Sequence, residues 1–148
     1  MHILGLFTDP TNGALLEHCR KAVAARTERM ERIVKNLQGL GFTITVEDCV
    51  AASGGETVGR PHIVRALNSH PENFAIIEQM KADMEKASVG SMQTAMDYAH
   101  MLERPASDYP YRLFLRYDAF FKDIYVDYFY SIDFASAVQL IRDSGGLS

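Results

Sequence analysis

The chain has 148 residues, 47% of them hydrophobic and 23% charged, with a formal net charge of -4. That is enough polypeptide for one domain with a real core and too little to expect two. The acidic balance gives the whole chain no electrostatic attraction for nucleic acid, although a local basic cluster can still hold a phosphate.

No apolar run is long enough to span a bilayer. The first residues lack the basic head, apolar stretch and cleavage site of a secretory leader, so a cytoplasmic location is expected. Cys19 and Cys49 stand apart, with no CxxC and no Cys/His ladder, which argues against a zinc finger. Both lie among apolar neighbours and are expected to be buried, reduced thiols.

In chain order, His2 to Phe7 is a short apolar run stopped by Thr8-Asp9-Pro10-Thr11-Asn12-Gly13. It reads as a buried strand and a turn. A long helix is expected from Ala14 to about Leu40, with Leu15, Cys19, Ala22, Arg26, Met30, Ile33, Leu37 and Leu40 on one face. Gly39 and Gly41 end it. Lys21, Arg29, Arg32 and Lys35 read as a solvated face paired with Glu17, Glu28 and Glu31. Thr45 and Asp48 resemble a capping box opening a short helix to about Ala52.

Gly59-Arg60-Pro61-His62-Ile63-Val64-Arg65-Ala66-Leu67 is the most informative stretch. Pro61 suits the first turn of a helix running to about Asn68. Arg60, before a proline, is expected to be extended. Its guanidinium would then stand beside the free N–H groups of a helix start, a favourable place for phosphate or carboxylate. His62 and Arg65, three apart, share a face. On these nine residues alone, an ordinary helix start with solvated basic side chains has the slight edge.

Ser69 and Glu72 predict a cap and its reciprocal partner for the next helix, with Phe74, Ile77, Met80, Met84 and Ala87 on one face. Ser91 predicts a cap for another carrying Met92, Ala95, Met96, Ala99 and Leu102. The methionine stripe is read as adaptable core. Between Tyr109 and Tyr130 the chain is rich in aromatics: Phe114, Tyr117 and Phe121 fit a helical face, and Tyr125 to Phe129 an extended run. Without interleaved Lys and Arg these aromatics read as packing rather than as stacking platforms for bases. Asp133 caps a last helix, Phe134 to Arg142, which Gly145 and Gly146 end. Both chain ends are expected to lie beside buried strands.

Four segments together resemble the PHP (polymerase and histidinol phosphatase) family of metal-dependent phosphoesterases. His2 to Asp9 is similar to a mid-sequence strand of that family, and Arg26 to Gly41 to the arginine-studded helix after it. Gly54-Gly55 through Leu67 is similar to its GRPHIxRAL segment, and Ala137 to Gly146 to a late helix. The GRPHIxRAL match is specific, and the others follow in the family's order.

The resemblance covers 1–69 and 109–148; residues 70–108 depart from it and read as a helical insertion. It implies a mainly α helical insertion or cap domain, with one or two short β-strands left from a truncated α/β barrel, forming a single helix-rich domain over 1–148. It also implies a parent hydrolase that acts on phosphate esters such as nucleotides or RNA ends, using manganese, iron, zinc or magnesium. In that reading Arg60, His62 and Arg65 bind substrate phosphate. His2 is the one position matching a family metal ligand, and it would serve only in the intact parent. The family's flanking ligand motifs are not in this chain, so no cofactor and no hydrolysis are expected of it alone.

The partner expected is therefore a phosphate-containing small molecule or nucleotide, with no membrane. A fragment should leave apolar strand faces exposed and prone to self-association. The alternative is a free-standing helical binding module without catalysis, a packed monomer or homodimer with its aromatics between Tyr117 and Phe129 buried or on a partner. A nucleic-acid-binding helical domain ranks last.

Overall fold

The computed structural model describes residues 3–55, 57–128 and 130–147. The described residues are mainly helical, with seven α-helices, two 3-10 turns and no strand. They form two compact units, Thr27–Asp127 and Met1–Arg26 with Tyr128–Ser148.

The unit Thr27–Asp127 holds nearly all of the core. Helix α1 (Gly13–Gly39) buries Met30, Ile33, Val34 and Leu37 within it, at the three- and four-residue spacing of one helical face. Gly41, at φ 89°, reverses the chain so that the Phe42 N–H returns to the Leu37 carbonyl at 3.2 Å. Phe42 and Ile44 then turn inward. Thr45 caps α2 (Val46–Ser53) through the expected box with Asp48, and Gly54, at φ 69°, ends it. Helices α3 (Arg60–Asn68), α4 (Asn73–Ser88), α5 (Met92–Leu102) and α6 (Tyr109–Leu113) follow, α2 packing on α3 and α4 on α5. Leu37, Ile44, Leu67, Leu113 and Phe114 are fully buried, and the Phe42 and Phe114 rings meet at 5.6 Å.

Several local expectations change in this unit. Ser69 does not cap α4. Its hydroxyl donates back to the Ala66 carbonyl at 2.7 Å, and a turn with Pro71 at its second position, closed by Asn73 N–H on the His70 carbonyl at 3.0 Å, precedes α4. Asn73 itself is wholly buried. Its Oδ1 accepts the Thr43 N–H at 2.7 Å, and its Nδ2 donates to the carbonyls of Thr43 at 2.7 Å and Leu67 at 2.9 Å.

The methionine stripe divides. Met80 and Met84 are core, whereas Met92 and Met96 face outward and Met101, which was not on that stripe, is buried in their place. Phe114, Tyr117 and Phe121 share no helix, because α6 stops at Leu113. Phe114 is buried, Tyr117 is exposed, and Phe121 N–H folds back onto the Leu113 carbonyl at 2.9 Å. Arg29 is not solvated. Its Nε donates to the Val126 carbonyl at 2.6 Å, its guanidinium lies 5.2 Å from the Tyr125 ring, and Nη2 is buried with no hydrogen-bond partner among the described residues.

In the other unit Asn12 caps the start of α1, its Oδ1 accepting from Leu15 N–H at 3.0 Å. Asp133 caps α7 (Phe134–Asp143) as expected, by accepting from Ser136 N–H at 2.9 Å. The expected first strand is reduced to one antiparallel bridge, Leu6 with Leu147, each N–H on the other's carbonyl at 2.9 Å. A β-carbon on Gly146 would stand 2.6 Å from Thr8 Cγ2 and 2.8 Å from the Leu6 carbonyl oxygen, so the close approach requires glycine. Leu4, Leu6, Phe7 and Leu147 are exposed around this bridge, and Ile141 is the hydrophobic side chain buried beneath it. Cys19 is exposed, contrary to expectation, because it falls on the outward side of α1. The extended run expected over 125–129 starts at Tyr125 (φ -66°, ψ 137°) without pairing; Phe129 lies outside the described residues.

Candidate functional site

The site is built where α3 begins. Gly59 is the extended residue there (φ -110°, ψ 174°), and Arg60 is already helical. His62 turns back so that its Nδ1 accepts the Gly59 N–H at 3.0 Å. An accepting Nδ1 leaves Nε2–H as the ring's donor. The Gly59 carbonyl takes the N–H groups of His62 at 3.0 Å and Ile63 at 3.3 Å, and Pro61 has none. The helix start therefore offers an anion little backbone, and the Arg60 side chain matters more. Arg60 Nη1 donates to the Leu115 carbonyl at 3.2 Å, a tether that offsets the poor fit of a helical residue before proline.

That tether sets Arg60 on the wall of a cavity of about 290 Å3, completed by Arg104, Asp108, Tyr111, Arg112 and Arg116. Arg104 comes from the exit of α5, Asp108 from the 3-10 turn Ala106–Asp108, Tyr111 and Arg112 from α6, and Arg116 from the turn after it. Four guanidinium groups face one lining carboxylate. Arg116 Nη2 is paired with Asp118 at 2.7 Å, and among the described residues Arg104 and Arg112 have no ion-pair partner. Burial raises the Tyr111 hydroxyl above its usual range, helped by Asp108 and opposed by Arg60 and Arg65. It is thus a neutral phenol at pH 7, able to donate a hydrogen bond. Planar guanidinium donors suit the oxygens of phosphate or carboxylate.

Of the residues singled out by the sequence, Arg60 lines the cavity. Arg65 is exposed one turn along α3, near enough to act electrostatically on the Tyr111 hydroxyl. His62 is half-buried and committed to Gly59. His2 lies outside the described residues. Arg104, Arg112 and Arg116 were not picked out by the sequence reading. Their one local signal is the i,i+4 spacing of the last two, and α6 ends between them.

Among the described residues no three His, Cys, Asp or Glu side chains converge as a metal centre needs. The nearest pairing is His70 Nε2 with Asp48 Oδ2 at 3.0 Å. Cys49 is no nucleophile, since burial first and Asp48 second push its thiol up to about 11. Among the described residues no helix is long and apolar enough to cross a membrane.

No protein-family model matches the chain, and neither a curated protein nor a solved structure matches it.

Proposed function

We propose that the Thr27–Asp127 unit grips a phosphate group, and that the chain is the central substrate-capping segment of a PHP-type phosphoesterase. The observation that carries this reading is the position of Arg60. The arginine of the GRPHIVRAL segment meets three further arginines around one cavity, two of them without an ion-pair partner among the described residues. The exposed apolar residues Leu4, Leu6, Phe7 and Leu147 beside an isolated β-bridge support the same reading, since a fragment would leave its strand faces uncovered. The catalytic metals would be held by polypeptide other than the described residues, and this chain's part is to bind and orient the phosphate. A cytoplasmic setting suits the two unpaired cysteines.

A free-standing binding module is the second reading. The observation favouring it is the closed core of the Thr27–Asp127 unit, in which Leu37, Phe114 and Leu113 have no exposure.

Calorimetric titration with inorganic phosphate tests the shared claim. The chain should bind it, and Arg104→Ala should weaken binding about 10-fold or more, the worth of a charge-assisted hydrogen bond. An unchanged affinity would remove the cavity from the site. Assay of p-nitrophenyl phosphate with manganese should detect no turnover by this chain alone; metal-stimulated turnover would overturn its place as a cap.

A further inference from the structure

Arg112 and Arg116 form the common wall of two cavities. Beyond them lies a second space of about 210 Å3, next to the 290 Å3 arginine cavity. Together the two fall within the ~300–1,000 Å3 usual for small-molecule sites.

The second cavity has a different chemistry. Gln93, Thr94 and Asp97 of α5 line it, with Asp118, Phe120 and Lys122, so its two carboxylates are balanced by one further cation beside the shared arginines. Gln93 Nε2 donates to Asp97 Oδ1 at 3.3 Å, which leaves the Gln93 carbonyl oxygen and Asp97 Oδ2 as acceptors. Thr94 Oγ1 donates to Ser91 Oγ at 3.0 Å and keeps its own lone pairs. Asp118 holds Arg116 through Oδ2, leaving Oδ1. Phe120, half-buried, is fixed edge-to-face on Phe121 with centroids 4.8 Å apart. Acceptors for several hydroxyl hydrogens, beside one aromatic ring for C–H contact, are what a neutral polyhydroxyl body requires.

We propose that the ligand is a phosphorylated sugar or polyol. Its phosphate sits against Arg60, Arg104 and Arg112, and its hydroxyls reach Asp97, Gln93 and Asp118 with a carbon face on Phe120. This rests on the phosphate reading above and adds the body that the phosphate carries. A nucleotide fits less well, because the second cavity presents a single ring already engaged edge-on, set among hydroxyl acceptors rather than in a flat slot.

The test is calorimetry on the full chain with inorganic phosphate, glucose 6-phosphate, ribose 5-phosphate, glycerol 3-phosphate and adenosine 5'-monophosphate. Phosphate monoesters and inorganic phosphate are alike in charge, so differences among them report the body. At least one of the three polyol phosphates should bind 10-fold or more tighter than inorganic phosphate. Asp97→Asn and, separately, Gln93→Ala at an exposed position should erase most of that gain, and Gln93→Ala, which changes no charge, should leave inorganic phosphate unchanged. The inference fails if none of the three exceeds inorganic phosphate, if the adenine nucleotide binds tightest, or if both variants leave the gain intact. If inorganic phosphate itself does not bind, the phosphate reading falls and this inference with it.

Discussion

Asn73→Ala removes a side chain that joins three parts of the Thr27–Asp127 unit. Its amide accepts from Thr43 N–H and donates to the carbonyls of Thr43 and Leu67, all at 2.7–2.9 Å and with no exposure of the residue itself. A net intramolecular hydrogen bond contributes about 0.5–1.5 kcal/mol, and an abandoned buried partner costs about 1–3. Two features hold the total down. Thr43 is exposed and can turn to water, and the Leu67 carbonyl keeps the His70 N–H at 3.3 Å. The expected loss is therefore about 2–3 kcal/mol, read as a lower urea midpoint with unchanged slope. Asn73→Asp sharpens the test, because it keeps an acceptor for Thr43 N–H but points a carboxylate at two carbonyl oxygens. It should be at least as destabilising as alanine. A loss below about 0.5 kcal/mol for alanine, or an aspartate variant as stable as the parent, would refute the reasoning.

Phe114→Ala should lower stability by about 3–5 kcal/mol in the same denaturation assay, as it empties a fully buried site against Phe42. Hydrogen bonds from Thr45, its side chain first, and from His70 hold the Asp48 carboxyl below its ordinary 3.8. Its contribution is therefore present above that pH and lost as pH falls through the depressed value. Asp48→Asn should flatten this part of the acid arm of a stability–pH curve, and an unaltered acid arm would contradict the assignment. Gly146→Ala should open the Leu6–Leu147 bridge, seen as faster amide exchange at those two residues, because the added methyl meets Thr8 and the Leu6 carbonyl inside 3 Å.

Local signals carried far. The box of Thr45 with Asp48, the Asp133 cap and the Gly41 reversal are each written within a few neighbouring residues, and each forms where those residues stand. Register was harder in α5, where the stripe through Met92, Ala95, Met96 and Ala99 competed with the one that buries Met101. Pro71 defeated the Ser69 cap because a turn was an equally local use of the same residues. The run at residues 3–7 is apolar enough for a strand, but a strand also needs neighbours, and among the described residues Leu6 finds Leu147 alone.

Asn73 and the arginine cavity share one reason for having been illegible. Their partners come from other helices and turns, and no spacing in the chain encodes such a meeting. Arg60 stood out through the proline beside it. Arg104, Arg112 and Arg116 converge only because α5 is turned back through Ala106–Asp108 into α6.

The claim that the arginine cavity holds a phosphate is tested most directly by nuclear magnetic resonance, following the arginine Nε–H signals as inorganic phosphate is added. The signals of Arg60, Arg104, Arg112 and Arg116 should shift together along one saturating curve, while those of Arg20 and Arg142, exposed in the other unit, stay in place. Shifts spread evenly over all exposed arginines, or none at the cavity, would contradict it.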